Sequence, residues 1–470
     1  MLSRRVLLKA GAAAGVAGAL SAAPPVRAAA PAPDPFVVRL PVPPVIEPVL
    51  RTDGFDLYRM TLREADTRIL PGVTTRVRTF DGHFPGPTVR AVRGRPVLIQ
   101  QVNRLDHPVA VHLHGGHVPQ PSDGHPMDLI EPGAARTYYY PNDQPGATLW
   151  YHDHAHMLEA ENLYRGLSGT YLLTDEEEER LPLPRGRYDI PLMFRDAALA
   201  ADGSLVYDVH AMAARATLMV NGVARPYLPV AARRYRLRLV NSSNDRVLAL
   251  RLADGAEFTQ IASDGGLLPA PVRTTAVALW PAERAEIVVD FGTRRPGQQV
   301  VLENLAPYPG ESAEVMRFDV THRAADPSRV PERLRPLPEP GRPQVERTFT
   351  MTSDLLHDRY LINGKEFDMD RIDITPRLGV EEVWTVTVPA DAYAMAHTFH
   401  THLAQFRVLD RNGQPPAPEE AGLKDTVGMM PGDTVRLQVR FTDYPGRYVY
   451  HCHMMGHSSL GMMGQMEISR

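Results

Sequence analysis

The sequence is poor in cysteine, because its 470 residues include a single one, Cys452. One thiol cannot form an internal disulfide, so disulfide bonds do not hold this fold together. Lysine is also scarce, with three residues, and the formal net charge is only −4. The sequence therefore predicts no strongly basic face, and we expect neither nucleic acid nor a membrane surface as a partner.

Long apolar runs are missing too, apart from a short one near the N-terminus. Residues 10–23 form an Ala/Gly/Leu stretch that follows Arg4, Arg5 and Lys9 and precedes small residues near position 30. This pattern is typical of a cleaved signal peptide and is too short for a membrane span. The arginine pair resembles a twin-arginine export signal. We expect residues 1–30 to be removed and the mature protein to be a periplasmic or extracellular monomer without a membrane span.

A lone cysteine in an exported protein needs a reason to persist. The compartment is oxidising, and exported proteins normally pair their cysteines or have none. Ligation of a metal ion would be such a reason.

The chain has 44 prolines and 35 glycines, which separate many short runs rich in Val, Leu, Tyr and Thr, such as 97–102 and 235–240. Stretches of helical period are scarce, and this texture favours all-β sandwiches. An acidic segment, 175–187, and a proline-rich segment, 323–343, look like linkers. We therefore expect three domains after the signal, with the limits 31–180, 181–335 and 336–470.

The first and third of these pieces repeat one another. Pro132 begins a run that ends in W-Y-H-D-H at 150–154, and Pro431 begins one that ends in Y-H-C-H at 450–453. In both runs the proline lies 20 residues before the first histidine of the ending. The middle piece carries a similar run at 281–291 without a histidine pair. One fold is therefore expected three times, with no such site in the middle copy.

Four His-x-His pairs stand out in the repeated pieces: His112 and His114, His152 and His154, His400 and His402, and His451 and His453. On a strand, alternate side chains share one face, so each pair would present two imidazoles about 6.6 Å apart. Eight imidazoles between two domains are too many for one ion and fit a cluster of two or three. The ligand type alone leaves copper, zinc, iron and nickel open.

Cys452 lies between two of these histidines, so strand alternation sends its thiolate to the opposite face and to a different metal. His397 has the parity to join it, and His457 and Met462 follow the cysteine. Two His, one Cys and a more distant Met form the ligand set of a blue copper electron-transfer site. A redox metal on Cys452 would have a covalent path for electrons to the cluster. In the first piece Asp153 stands where Cys452 stands, so that piece cannot build such a site.

The motifs at 112–115, 150–154, 397–402 and 451–457, with Met462 after them, resemble the copper motifs of multicopper oxidases. The resemblance runs from about Phe80 to the C-terminus. It implies three consecutive cupredoxin-like Greek-key β-sandwich domains, an all-β fold, and four copper ions. His112 and His400 would hold the type 2 copper. His114, His152 and His451 would hold one type 3 copper, and His154, His402 and His453 the other. His397, Cys452 and His457 would bind type 1 copper, with Met462 axial.

Members of this family couple four one-electron oxidations to the reduction of dioxygen to water. The resemblance is closest to three-domain bacterial laccases, bilirubin oxidases and cuprous oxidases. It implies a copper-dependent oxidoreductase that acts on phenols, diphenols or aromatic amines. One alternative is a cuprous oxidase that detoxifies Cu(I). Another is a non-enzymatic envelope or division scaffold, but such scaffolds lose copper ligands, and all are present here.

Six methionines crowd the C-terminal motifs, namely Met429, Met430, Met454, Met455, Met463 and Met466. Thioethers bind Cu(I), but methionine is also common core filler. We favour the second interpretation, because the long methionine-rich insertion of dedicated cuprous oxidases is absent.

Two acidic residues are candidates for catalytic roles. Asp123 matches an acidic residue that supplies protons in bacterial relatives, although an ordinary Asp-Gly turn would look the same. Asp425 resembles an acidic residue that hydrogen-bonds a type 1 histidine or meets the substrate, with a strand-end cap as the alternative. Many relatives also carry an acidic residue after the last type 1 histidine, where this chain has Ser458. Asp123 is therefore the main candidate for the proton route.

Overall fold

A computed structural model describes residues 34–308, 311–391 and 395–470. The export signal expected at 1–30 lies outside these residues. Strands dominate the described part, with 32 strands in six sheets and three short α-helices. None of the helices in these ranges is long and apolar enough to cross a membrane. The six sheets pair into three consecutive cupredoxin-like β-sandwiches, which confirms the predicted fold class.

The first sandwich contains strands β1 to β9: Leu50–Arg51, Asp56–Thr67, Thr75–Phe80, Gly86–Val92, Val97–Asn103, Val111–His114, Ala135–Tyr140, Ala147–Asp153 and Ser168–Thr174. One sheet has the order β1-β2-β5-β7 with β3 beside β2, and the other has the order β4-β9-β8-β6. All seven residues of β8 are buried. Leu149 and Tyr151 face the core of this sandwich, whereas Trp150 packs in a separate cluster with Met455 of the third sandwich. One face of β8 therefore packs in the core of the first sandwich, and the opposite face packs against the third sandwich.

The second sandwich contains β10 to β22: Asp189–Leu199, Leu205–Val206, Thr217–Val220, Val223–Ala224, Tyr227–Ala232, Arg234–Asn241, Leu248–Leu252, Phe258–Ser263, Gly266–Thr274, Ala276–Leu279, Arg284–Asp290, Gln299–Asn304 and Glu314–Arg323. Its sheets have the orders β13-β12-β10-β15-β20-β17-β18, with β11 on β10, and β14-β22-β21-β16-β19. Leucine, isoleucine, valine and phenylalanine from both sheets form its core.

The third sandwich contains β23 to β32: Val345–Asp354, Arg359–Ile362, Glu381–Thr387, His397–Thr401, Phe406–Arg411, Leu423–Lys424, Thr426–Met429, Thr434–Arg440, Gly446–Cys452 and Met463–Ile468. Its sheets have the orders β24-β23-β25-β30-β27-β28 and β29-β26-β31-β32. In β30, Val435, Leu437 and Val439 are buried while Arg436 and Arg440 are exposed, as the alternating sequence requires. Each sandwich falls within one of the three predicted segments, whose exact limits stay predictions.

Three α-helices, α1 (Glu159–Arg165), α2 (Glu176–Arg180) and α3 (Met455–Ser459), complete the described elements. Helix α1 follows β8, and α3 follows β31. Asn244 of the second sandwich joins these two helices. Its side-chain amide donates to the backbone carbonyl of Ala160 at 2.7 Å, and its backbone carbonyl accepts from Met455 N–H at 2.9 Å. The three sandwiches therefore meet at one junction.

Candidate metal centres

The single cysteine ends strand β31 and is completely buried. β31 pairs antiparallel with β26, with Cys452 opposite Phe399. Cys452 Sγ lies 3.8 Å from Nδ1 of His397 and 3.6 Å from Nδ1 of His457, and these two nitrogens are 3.1 Å apart. The structure therefore brings together the three residues that sequence parity placed at one site.

Burial determines the charge of this group. Burial raises the pKa of the Cys452 thiol to about 12, while a backbone N–H from Thr398 lowers it. Burial also lowers the pKa of His457 to about 4 and that of His397 well below its usual value. Two neutral imidazoles thus direct ring nitrogens at a thiol that ionises only beside a cation. Metal–nitrogen and metal–sulfur bonds of about 2.0 and 2.3 Å give the separations seen here, so the three residues fit a bound metal ion.

Two further residues surround this site. Met462 is buried, and its carbonyl oxygen accepts a hydrogen bond from Cys452 N–H at 3.0 Å, which places Met462 beside the group. The ring of His457 stacks on Tyr360, with centroids 4.4 Å apart. Met462 is therefore near the cysteine site, and its role as a ligand stays a prediction.

Eight histidines fill the contact between the first and third sandwiches, and none is more than 1% exposed. Their ligand atoms form three groups within 4.8 Å of one another: His112, His114 and His400; His114, His152 and His453; and His154, His402 and His451. Burial is the main cause that lowers the pKa of all eight, to about 3 for His152 and about 4 for His451. The rings are therefore neutral, as metal ligands must be.

Hydrogen bonds select the inward-facing nitrogens. Nδ1–H of His112 donates to the carbonyl of Asp123 at 2.6 Å, and that of His400 donates to the carbonyl of Asp425 at 2.7 Å. Because a carbonyl only accepts, Nε2 of both rings carries a lone pair. Both Nε2 atoms are buried without a hydrogen-bond partner. Orphaned lone pairs of this kind fit a metal ion.

Other rings meet through their Nε2 atoms, at 3.2 Å for His154 and His451 and 3.4 Å for His402 with His451 and for His152 with His453. Nδ1–H of His451 donates to the Cys452 carbonyl at 2.9 Å, so its Nε2 is also unprotonated. Two nitrogens about 2.0 Å from one ion at a tetrahedral angle lie about 3.3 Å apart. The observed spacing matches shared ions.

One part of the sequence-based grouping is wrong. We expected His451 with His114 and His152, and His453 with His154 and His402. The structure exchanges them, because His453 lies with His114 and His152 while His451 lies with His154 and His402. Strand alternation tells which residues share a face within one domain. It does not tell how the faces of two docked domains are matched.

Asp123 links the first and third sandwiches at this cluster. Its carbonyl accepts from His112, and its Oδ2 accepts from Nδ1–H of His402 at 2.7 Å. Oδ1 is buried without a partner, and burial raises the pKa of this carboxyl well above its usual range. The turn depends on Gly124, which has φ +74° and whose missing Cβ would lie 2.2 Å from the carbonyl oxygen of Val111. Asp123 therefore lies at the cluster, where the sequence led us to expect it, and its role in proton supply stays a prediction.

Asp425 lies at the cluster as well, not at the cysteine site where we expected it. Its Oδ1 accepts from Nε2–H of His114 at 2.9 Å, which leaves Nδ1 of that ring to face inward. Arg284 of the second sandwich donates to both carboxyl oxygens, at 2.6 and 2.5 Å. Burial raises the pKa of Asp425, and Arg284 opposes this effect. Asp425 thus contacts His114 of the first sandwich, His400 of the third and Arg284 of the second.

Sequence reasoning missed Arg284 in this role. It lies 141 residues from Asp425, in the piece expected to carry no ligands. Gly115, which follows the first histidine pair and has φ +80°, is a second residue whose role the sequence analysis missed. A Cβ there would lie 2.6 Å from Arg284 and 2.7 Å from Asp425, so only glycine leaves room for their ion pair.

Comparison with known proteins agrees with this geometry. Residues 61–178 and 338–470 match two family models, each described as multicopper oxidase. The chain is 36% identical to a laccase of Bacillus subtilis over 92% of this chain and 98% of that one. It is 32% identical to the cell division protein FtsP of Proteus mirabilis over 92% of each chain.

The fold also matches solved structures. The crystal structure of a laccase from Pediococcus acidilactici superposes with a TM-score of 0.86 at 32% identity, over 94% of this chain and 95% of that one. The matched segments contain all eight clustered histidines and the cysteine site. This chain therefore belongs to the multicopper oxidases, a family of copper-dependent oxidoreductases.

Proposed function

We propose that this protein couples four one-electron oxidations of phenolic or aromatic amine donors, as a laccase does, to the four-electron reduction of dioxygen to water. The observation that carries the proposal is the position of Cys452. Its Sγ lies in one ligand group, while the flanking His451 and His453 lie in two others. Two covalent routes, through His451 and through His453, therefore join the cysteine site, which would receive the electrons, to the histidine cluster, where dioxygen would be reduced.

The proposed cofactor is a set of four copper ions, which supply the one-electron redox steps when bound. One type 1 ion would be held by His397, Cys452 and His457, with Met462 as a further ligand. His112 and His400 would hold the type 2 ion. The type 3 pair would be held by His114, His152 and His453 and by His154, His402 and His451, following the grouping in the structure.

The chain's own residues prepare these sites. Backbone carbonyls and two carboxylates accept hydrogen bonds from the outer nitrogens of six of the eight rings, so that the inner nitrogens of these six keep their orientation. Asp123 is the proposed proton-handling group, because its Oδ1 is unpartnered at the cluster. Asp425 keeps His114 and His400 in position and is anchored by Arg284.

Oxidation of Cu(I) is the second candidate activity. The methionines near the C-terminal motifs could favour it, but five of the six are buried, including Met429, Met455 and Met466 at 0% exposure. Met429, Met454 and Met466 pack in the core of the third sandwich, which supports the role of filler. A scaffold role like that of the division protein is less supported, because the ligand groups are complete.

The direct experiment is to load the protein with copper and follow oxygen uptake with a phenol and, separately, with Cu(I). Uptake with the phenol supports the laccase-like proposal, and uptake with Cu(I) alone supports the second candidate. Failure to load copper, or no uptake with either donor, rejects both. The Cys452→Ser variant should lose the blue colour and the oxygen uptake together.

Export is a separate proposal, because residues 1–30 lie outside the described part of the chain. We propose a twin-arginine-type signal that sends the protein to the periplasm or the exterior. Replacement of Arg4 and Arg5 by lysine should retain the protein in the cytoplasm, as measured by cell fractionation. Unchanged export would reject the signal. Light scattering of the mature protein tests the expected monomer.

A further inference from the structure

Glu159, the first residue of α1, is completely buried. Neither carboxyl oxygen has a hydrogen-bond partner of ordinary geometry. Among the described residues, no arginine, lysine or histidine forms an ion pair with it. A buried polar group without a partner costs free energy, so its presence needs an explanation.

The groups nearest this carboxyl belong to α3, the helix that carries His457. The side chains of Ser458 and Ser459 interact with Glu159 and lower its pKa. Ser459 also accepts the backbone N–H of Ala160 at 3.3 Å, which fixes α1 against α3. The carboxyl group is thus held beside Ser458 by a defined helix contact.

Ser458 in turn lies against the cluster. Its Oγ is 3.4 Å from Nδ1 of His451, and His451 Nε2 is 3.2 Å from His154 and 3.4 Å from His402. One side chain therefore separates the buried carboxyl from a ring of the eight-histidine cluster. Asp123 contacts the cluster through two other rings, His112 and His402.

The carboxyl group can store a proton. The pKa of Glu159 is raised to about 8, mainly by burial and in part by the charge of Asp153, while the two serines lower it. Asp153 is itself satisfied by hydrogen bonds from Ala110, Ala155 and Asn162. Met157, two residues before Glu159, is 69% exposed, so the start of α1 lies near the protein surface.

We propose that Glu159 is a proton donor for dioxygen reduction and that the Ser458 hydroxyl relays its proton to the His451 side of the cluster. The proposal rests on the proposed function. Ser458 Oγ takes the proton as the O–H bond of Glu159 breaks, and Ser458 releases its own hydroxyl proton on the side that faces His451. The reduced oxygen atoms of dioxygen are the final acceptors, as they form the O–H bonds of water. The electrons arrive through Cys452, and solvent reprotonates the carboxylate.

The main variant is Glu159→Gln, which keeps the shape but cannot release a proton, with Glu159→Asp as the conservative replacement. Glu161→Gln is the matched control, because Glu161 lies on the same helix but is partly exposed and pairs with Arg165 at 2.6 Å. In the copper-loaded protein, anaerobic reduction of the blue site by a phenol should be unchanged in all three. Reoxidation by dioxygen should slow about 100-fold in Glu159→Gln, the range expected for loss of one general acid.

Three readouts separate a proton role from a structural one. Reoxidation of Glu159→Gln should show a larger solvent deuterium isotope effect than wild type, Glu159→Asp should recover most of the rate, and Ser458→Ala should resemble Glu159→Gln. The infrared difference spectrum between copper-free wild type and Glu159→Gln at neutral pH should show the loss of one carboxylic acid carbonyl band in the variant.

The proposal is overturned if Glu159→Gln reoxidises at the wild-type rate and isotope effect, or if Glu161→Gln slows it equally. The absence of any infrared difference would also overturn it. If wild type loads copper but consumes no dioxygen, the proposed function fails instead, and the infrared band still reports whether Glu159 holds a proton.

Discussion

At the scale of single residues, the chain uses buried acids in two ways. Asp123 and Asp425 accept hydrogen bonds from ligand rings and hold them in place. Glu159 accepts none from a ligand ring, and burial raises its pKa to about 8. This difference has separate consequences for stability and for pH dependence.

Removal of the Arg284 side chain should be costly. In Arg284→Gln, Asp425 stays buried without its ion-pair partner, and the expected loss is about 3–5 kcal/mol of unfolding free energy. The affinity of the type 2 position for copper should fall too, because His400 donates to the same aspartate. Denaturant unfolding and copper titration measure both effects.

The control for this prediction is Arg447→Gln. Arg447 pairs with Glu467 at 3.8 Å, and both side chains are about half exposed. Surface pairs contribute about 0–1 kcal/mol. Equal destabilisation by the two substitutions would contradict the anchoring role of Arg284.

Glu159 should also affect how stability varies with pH. Its pKa in the folded chain, about 8, lies above the ordinary glutamate value of 4.5. Between these values the unfolded chain has lost the proton that the folded chain retains, so stability falls as pH rises, by at most about 1.4 kcal/mol per pH unit. Copper-free Glu159→Gln should lack this contribution. Parallel stability curves for the two proteins between pH 5 and pH 8 would contradict the shift.

At the scale of elements, turns and strand ends bring the ligands into register. The turn at 123–124 packs on β6 and directs the Asp123 carbonyl to His112. Helices α1 and α3 begin just after the histidine pairs of β8 and β31 and pack on each other. Small backbone changes here should therefore disturb the cluster before they disturb the fold.

Gly124→Ala tests this relation between turn and cluster. An added Cβ would lie 2.2 Å from the Val111 carbonyl oxygen, so the turn must move away from β6. We expect weaker type 2 copper binding, seen by electron paramagnetic resonance, with the blue absorption retained. Gly133→Ala is the control, because it has a similar φ of +80° and nothing within 4 Å. Gly133→Ala should lower the free energy of unfolding by about 1–2 kcal/mol, the cost of a left-handed backbone for alanine, and leave copper binding unchanged. Unchanged copper binding in Gly124→Ala would contradict the role of this turn in holding His112.

At the scale of the whole molecule, the cluster joins the first and third sandwiches, and the second holds both through Arg284 and Asn244. Copper that binds the folded chain but not the unfolded chain raises the free energy of unfolding. The gain is about 3 kcal/mol when the free copper concentration is 100 times the dissociation constant. We expect Tm to fall when copper is removed with a chelator, as measured by calorimetry. The exposed-site variant His357→Ala should show the same fall as wild type. A Tm independent of copper would contradict ligation across the sandwiches.

The sequence predicted much of this arrangement. Period-two alternation gave the sandwiches, and the His-x-His pairs with Cys452 between two of them located both sites. It did not predict which histidine of His451 and His453 meets which partner, because domain docking decides that. It also misplaced Asp425, whose partner Arg284 lies in another sandwich. Glu159 gave no signal, because an acid at a helix start is ordinary until its burial is known.

The central claim is that electrons from separate donors are combined to reduce dioxygen fully to water. The most direct measurement is the number of one-electron donors oxidised per dioxygen consumed by the copper-loaded protein, with hydrogen peroxide assayed in the same sample. We expect four donors oxidised per dioxygen and no hydrogen peroxide. Two donors per dioxygen with peroxide released, or no dioxygen consumed, would contradict it.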